Sequence, residues 1–265
     1  MTTTLGLLMV GVAEAPHATP GAIQDNSFLV EEAYNQEAGV VQHIQVLNLD
    51  PKSGDWAYVF TDEWPVGDEL DQLSVTIPVT RAGKSYGLGD VMLNYRRELY
   101  HGDGDSFVVT PRISFWLPTG DPVHGFGEGV PGLQVLACVS ARVIPALATH
   151  SNLGVATPFS GRDATAGTFF TAAQSLIWLV HPRFNILAEI VWTEPALRRR
   201  DGGRVTREVV VSPGLRTAID FDSGLQIVPG LAAPVRFEGS TESWGALIYL
   251  SFEHHLSHPS AETGP

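Results

Sequence analysis

The chain has 265 residues, 44% hydrophobic and only 17% charged, with Gly 27, Pro 18 and a formal net charge of −13. An average soluble domain carries about 25% charged residues, so either a very large core is buried or part of the surface faces something other than water. The acidic balance argues against sequence-independent nucleic-acid binding, which needs clustered Lys and Arg, and a single cysteine, Cys138, excludes a disulfide framework or thiolate metal cluster.

The first residues read Leu5-Gly-Leu-Leu-Met-Val-Gly-Val-Ala13, then Glu14-Ala15. A short apolar run before Ala-x-Ala is the pattern of a secretory signal peptide over 1–15, with a mature start near Pro16. No Lys or Arg precedes the run, so either the start codon is placed too late or the segment is merely an apolar tail. No later run reaches the 18 or more apolar residues of a spanning helix. A membrane location would therefore have to be reached with strands.

Residues 16–39 form an N-terminal segment in which Ser27–Glu37 alternates poorly and carries Glu31 and Glu32 in its middle. From 40 onward the apolar positions recur every second residue, the period of a strand with a different environment on each face. Leu73, Val75, Ile77 and Val79 oppose Gln72, Ser74 and Thr76; Ile113, Phe115 and Leu117 oppose Thr110, Arg112 and Ser114. Leu133, Val135, Ala137 and Val139 oppose Gln134, Ser140 and Arg142; Phe184, Ile186, Ile190 and Trp192 oppose Asn185 and Glu189. Ala246, Ile248, Leu250 and Phe252 end the pattern against Tyr249, Ser251 and Glu253. The predicted strands are 40–49, 55–64, 70–80, 87–100, 107–118, 132–144, 147–157, 168–180, 184–193, 206–221, 225–236 and 243–252. Most have ten residues or more, whereas soluble strands have about five or six and tilted membrane strands about nine to eleven.

Connections alternate in length from residue 119: long at 119–131, 158–167 and 194–205, longer again at 237–242, and short at Pro145-Ala146, His181-Pro182-Arg183 and Asp222-Ser223-Gly224. Outer-membrane barrels have short periplasmic turns and longer outer loops. Twelve strands then leave both chain ends on the short-turn side. A thirteenth strand at 27–37 would separate them, which places that segment in the lumen or beneath it, with Glu31 and Glu32 as plug candidates. Trp56, Trp116, Trp192, Trp244, Phe159 and Phe237 fall near long-loop ends, and Trp64, Trp178, Tyr100, Phe107, Phe221 and Phe252 near short-turn ends. That spacing reads as two interfacial girdles, against the alternative of aromatics scattered through a β-sandwich core. The expected fold is all-β, a closed antiparallel up-and-down transmembrane β-barrel over 40–253, with a tail at 254–265.

Strand parity turns Asn94, Arg96, Glu98, Arg112, Arg142, His150, Asn152, Glu189, Arg216, Asp220 and Glu253 inward as lumen-lining candidates. Mixed charges there either pair across a narrow lumen or form a constriction that selects solutes by size and charge. His150-Ser151-Asn152 has the residue types of a barrel acyl hydrolase. However, neighbouring strand residues face opposite sides, so imidazole and hydroxyl should not meet. Asp121, His124 and Glu128 in a Gly-rich loop have weak metal spacing and read better as a solvated loop. Gly125-Phe-Gly-Glu-Gly129 is followed by no helix pattern and is not a dinucleotide fingerprint. The basic run Arg198, Arg199, Arg200, Arg204 and Arg207 is a solvated loop or a contact for anionic headgroups or sugars. No cofactor motif is present.

Five stretches carry a family resemblance: Asn26 to His43, Asp71-Gln-Leu-Ser-Val-Thr-Ile-Pro78, Gly87-Leu-Gly-Asp-Val-Met-Leu-Asn-Tyr-Arg96, Pro111-Arg-Ile-Ser-Phe-Trp-Leu-Pro-Thr-Gly-Asp121 and His150-Ser-Asn-Leu-Gly154. Over residues 25–253 the chain resembles the outer-membrane transporter family named for the meta-pathway of phenol degradation. The resemblance implies a non-enzymatic barrel that passes small molecules, aromatic or hydrophobic compounds among them. Its setting would be the bacterial outer membrane, with lipid, lipopolysaccharide and the barrel-assembly machinery as partners. A non-conducting structural barrel and a lipid-hydrolysing barrel are the alternatives.

Overall fold

A computed structural model of the chain describes Ile23 and residues 27–159, 167–195 and 207–256. The proposed signal segment 1–15, Arg198, Arg199, Arg200, Arg204 and the end of the tail lie outside the described residues.

Twelve antiparallel strands follow one another. They are β1 (Val40–Leu49), β2 (Trp56–Val66), β3 (Asp68–Ala82), and β4 in three pieces (Ser85–Leu88, Val91–Arg97, Tyr100–His101). Next come β5 (Phe107–Leu117), β6 (Gly132–Ile144), β7 (Leu147–Pro158), β8 (Phe169–His181) and β9 (Phe184–Pro195). The last three are β10 (Glu208–Thr217, Ile219–Asp220), β11 (Gln226–Ala232, Val235–Glu238) and β12 (Thr241–Trp244, Ala246–His255). Each pairs with its sequence neighbour, and β12 pairs with β1 from Val40↔His255 to Leu49↔Ala246, so the sheet closes. Closure leaves no strand edge unpaired, which is what hydrocarbon demands of backbone N–H and C=O groups. The predicted bounds agree within two or three residues; the barrel runs to His255 rather than 253.

The alternation has a physical sense opposite to that of a soluble sheet. Leu93, Ile113, Phe115, Val135, Leu153, Leu176, Ile190, Leu215 and Ile248 point outward and are exposed, while Ser74, Asn94, Ser114, Ser140, Ser175, Asn185 and Ser212 point inward and are buried. So continuous an exposed apolar belt is far larger than a water-soluble monomer tolerates. Facing lipid, it is the low-energy arrangement. Trp64, Trp178, Phe107 and Phe221 stand at the short-turn end of the outer wall. Trp116 is a correction to the girdle: it faces inward and donates from Nε1 to Val130 O at 3.0 Å.

Both chain ends of the barrel, Val40 and His255, lie at the rim that carries the turns at Gly67, 102–106, 145–146, 182–183 and 221–225. The opposite rim carries 50–55 and 118–131, and also two tight turns. β3 and β4 are joined by 83–84, and β11 and β12 by 239–240, so the loop expected at 237–242 is mostly strand. Gly83 and Gly239 have φ of 61° and 60°, the left-handed conformation that two-residue hairpins require.

One irregularity shapes the site. β3 advances from Val79 to Thr76 while β4 advances from Leu88 to Met92, one residue more. This bulge at Gly89-Asp90 switches the inward parity of β4 and turns the Asp90 backbone out of the ladder.

Candidate functional site: the lumen and its N-terminal segment

Residues 27–36 lie inside the barrel. Their poor alternation leaves them no ladder to join, so every backbone N–H and C=O needs another partner. Inward side chains of the wall supply them. Leu29 and Val30 N–H donate to Glu189 Oε1 of β9 at 2.9 and 3.1 Å. Glu31 N–H donates to Asn152 Oδ1 of β7, and Asn152 Nδ2 donates back to Glu31 O, both at 2.8 Å. Ala33 N–H donates to Ser140 Oγ of β6 at 2.7 Å, and Thr110 Oγ1 of β5 donates to Ala33 O at 2.5 Å.

Farther along, Arg96 of β4 donates to Asn35 Oδ1 at 2.9 Å and to Tyr34 O. Asn35 Nδ2 reaches Leu70 O of β3, Gln36 N–H donates to Gln72 Oε1, and Gln36 Nε2 donates to Gln42 Oε1 of β1. Ser27 shares a hydroxyl–hydroxyl bond with Ser175 of β8 at 2.7 Å, and Arg216 Nη2 of β10 reaches Ile23 O at 3.3 Å. Each buried backbone group left unpaired would cost about 1–3 kcal/mol, so these side chains decide whether the segment can stay in the lumen.

Apolar contacts supplement the polar ones. The Phe28 ring packs on Tyr249, with centroids 5.1 Å apart, and lies over Gly214 and Gly230, where it replaces the missing side chains. Ala33 is fully buried against Val108, Leu136 and Cys138, and Tyr34 packs over that cluster.

The predicted inward residues divide by height. Asn94, Arg96, His150, Asn152, Glu189 and Arg216 are buried in the lumen. Arg112 pairs with Glu31 of the segment and donates to Gln134 Oε1 at 2.9 Å. Glu32 is buried beside it in sequence, 3% exposed. Glu98, Arg142 and Glu253 are half-buried close to the short-turn rim. Asp220 keeps the inward phase of Arg216 and Ala218 but lies exposed at that rim, 2.7 Å from Arg183 Nε and accepting from Gln226 Nε2.

Sequence reading missed Thr110, Ser140, Ser175, Gln42 and Gln72, all of which hold the segment or its neighbours. Their signal was present, since each sits in phase with the polar positions of its strand. Small uncharged side chains read as filler until an occupant of the lumen is considered.

Two chemical alternatives meet the geometry. His150 is buried and inward with Nδ1 2.7 Å from Ser140 Oγ, whereas Ser151 faces the other way and donates to Gln174 Oε1 at 2.8 Å. The pair weighed for hydrolysis therefore never comes together. In the loop 118–131, His124 Nδ1 lies 2.6 Å from Asp121 Oδ2, while Glu128 offers its backbone N–H to Asp90 instead of its carboxylate to a shared centre. Among the described residues no group of three or more His, Cys, Asp or Glu is placed to hold a metal. Arg207 pairs with Glu194 at 3.1 Å and lies over the Trp192 ring.

The same loop explains two of the quoted motifs. Asp90 of Gly-Leu-Gly-Asp90 accepts Gly120 N–H at 2.9 Å and Glu128 N–H at 2.7 Å. Thr119 of Leu-Pro-Thr-Gly-Asp121 donates its hydroxyl to Gly89 O and accepts Val91 N–H, both at 2.9 Å. The two motifs are halves of one latch, which folds Phe126 against Gly87.

Above the segment a cavity of about 550 Å³ sits toward the long-loop rim. Leu29 of the segment lines it, together with Leu49, Trp56, Ala57, Val191, Val210 and Pro234, and with Arg81, Arg236, Glu208, Asp50 and Asp55. Arg236 and Glu208 pair at 2.9 Å. Backbone N–H groups of Lys52 and Ser53 hold the Asp50 carboxyl below the usual carboxylate range.

No family model matches the chain, and no curated protein matches it. The resemblance to the phenol meta-pathway transporters thus stays at the level of short motifs. Solved structures do match. The NanC porin superimposes with a TM-score of 0.57 at 8% identity, covering 81% of this chain and 100% of that one. The KdgM porin superimposes with a TM-score of 0.50 at 7% identity, covering 82% and 99%. At such identities the likeness is one of fold. Taken with the closed ladder and the apolar outer belt, it makes this chain a twelve-strand transmembrane barrel of the bacterial outer membrane.

Proposed function

We propose that the protein is a passive outer-membrane channel for small molecules, apolar or aromatic ones among them, whose lumen is occupied at rest by residues 27–36. One observation carries this reading: the closed barrel holds a cavity of about 550 Å³ on its long-loop side, bounded by the segment at Leu29. The cavity wall mixes Leu29, Val191, Val210 and Pro234 with the paired Arg236 and Glu208, the composition of a site that takes apolar molecules and orients them with a few polar groups. The porin fold supports the same reading. So does the way the segment is held: by separate side-chain hydrogen bonds rather than a continuous ladder, worth about 0.5–1.5 kcal/mol net each where both partners are neutral and about 1.5–3 kcal/mol where Arg96, Arg112 or Arg216 takes part. The interior charges then act first on the segment and second on the solute.

The test is single-channel recording on the full chain in planar bilayers, beside a variant lacking residues 27–36, with heat-modifiable gel mobility checking that each barrel is closed. The expected result is small or brief conductance steps for the full chain and larger, sustained ones for the deletion. Cys138, fully buried in the lumen, should react with a small water-soluble maleimide only in the deletion. A closed barrel silent in both forms overturns the channel reading in favour of a structural barrel. Equal conductance in both forms overturns the role given to the segment.

A further inference from the structure

A cluster on the outer wall takes no part in the lumen. His43 on β1 and His254 on β12 are diagonal neighbours across the seam where the barrel closes, since Val41 faces His254 and His43 faces Phe252 in the ladder. Their Nε2 atoms lie 3.1 Å apart, with the rings stacked at 28°.

The far nitrogens have the kind of neighbours that ligating histidines have. His254 Nδ1 lies 3.1 Å from the carbonyl oxygen of His255, which can only accept, so Nδ1 carries the proton. His43 Nδ1 lies 2.6 Å from Asp62 Oδ1 of β2, as an ion-pair contact rather than an aligned hydrogen bond. With a carboxylate beside one Nδ1 and a carbonyl oxygen beside the other, the tautomer that protonates both Nδ1 atoms leaves the two Nε2 lone pairs for one shared cation, whereas without a metal one Nε2 donates to the other.

The distances suit a metal ion. Imidazole nitrogens bound at about 2.0–2.1 Å to one centre are about 2.9–3.4 Å apart between right-angled and tetrahedral geometry. Ligating histidines characteristically direct their second ring nitrogen to a carboxylate or a backbone carbonyl, and here Nδ1 of His43 lies beside the first and Nδ1 of His254 beside the second. We infer that His43 and His254 form a two-imidazole site for a divalent first-row transition ion, of the class of Zn²⁺, Ni²⁺ or Cu²⁺, joining β1 to β12 on the outer face near the short-turn rim. Asp62 is the positioning residue for His43. Among the described residues no third His, Cys, Asp or Glu joins the pair, so water or another small donor completes the coordination. Phe60, flat against His43 with centroids 6.4 Å apart, covers one side.

The experiment uses the full chain in detergent micelles, titrated with Cu²⁺ and read by electron paramagnetic resonance, then with Zn²⁺ in competition. The expected result is one tight site per barrel whose spectrum reports two imidazole nitrogens. H43Q should weaken binding at least tenfold although every other histidine of the chain remains, and D62N should weaken it about 10- to 100-fold, as loss of a supporting carboxylate does elsewhere. Bound ion should also raise the temperature at which the barrel loses its heat-modifiable mobility, an effect absent in H43Q. Affinity equal in wild type and H43Q, or a single-nitrogen spectrum, overturns the proposal and leaves a shared proton between the rings. Should the variants fail to close, the nitrogen count on the wild-type barrel decides alone.

Discussion

Asn152 and Glu31 exchange two hydrogen bonds, N–H to Oδ1 and Nδ2 to carbonyl oxygen, both at 2.8 Å. One wall side chain thus serves a residue of the segment as a neighbouring strand would, satisfying its donor and acceptor together. Asn152→Leu keeps the side-chain volume and removes both partners, leaving a buried N–H and C=O unpaired at about 1–3 kcal/mol each. The segment's docked state should lose that much relative to any undocked one. At about 1.4 kcal/mol per factor of ten, single-channel recording should show open occupancy at least about ten times higher. Occupancy unchanged by the substitution would mean the segment is held elsewhere.

The barrel was legible because its physics is periodic. A one-residue error in any strand would put Leu93 or Ile113 in the lumen and Asn94 or Ser114 in lipid, so the sequence specifies register redundantly and the strand bounds follow. What fills the lumen is not periodic. Ser27–Glu37 was recognisable only as a stretch that did not fit, and its partners, Ser140, Thr110 and Gln72, come from strands far away in sequence. Nothing local marks a serine as a backbone acceptor for a segment 107 residues earlier. Glu189 and Asp220 share the inward phase and differ in height, Glu189 being buried under the segment and Asp220 exposed at the rim. Trp116 was misplaced because loop 118–131 folds back over it, and loop conformation rests on the Asp90 latch rather than on any repeat.

Phe28 occupies the space that Gly230 leaves. A Cβ added at Gly230 would stand 2.5 Å from the ring, and one at Gly214 would stand 2.6 Å from it. Gly230→Ala should therefore strain the docked segment by about 1–3 kcal/mol, the usual cost of overpacking, without disturbing the barrel, whose backbone there is ordinary strand. Phe28→Ala should also loosen the segment, by removing the ring. Combined, the two changes should be less than additive, because the alanine at 230 has nothing left to strike. The labelling rate of Cys138, sealed beneath Ala33 and Tyr34, reads all three variants on one scale. Strict additivity would mean that Phe28 does not rest on Gly230 in solution.

The Asp90 carboxylate ties down the loop 118–131 by accepting from Gly120 and Glu128 N–H, one on each oxygen. Gly120 and Gly127 are required for this approach, since added Cβ atoms would fall 2.4 Å from Phe126 O and from Asp90 Oδ1 respectively. Asp90→Ala should release the loop, seen as cleavage within 121–130 by an added protease at least tenfold faster, with heat-modifiable mobility unchanged. The loop tip has its own pH dependence. The His124 side chain, followed by the Val123 N–H, holds the Asp121 carboxyl below its ordinary value of 3.8. A depressed carboxyl contributes fully above the ordinary value and loses that contribution as pH falls through the lowered one. Loop protection from this carboxylate should accordingly be lost as pH falls below about 4. Asp121→Asn should show a small loss of protection above about pH 4 and no acid step. An acid step that survives in Asp121→Asn would assign the transition to another carboxylate, with Asp90 the first to test.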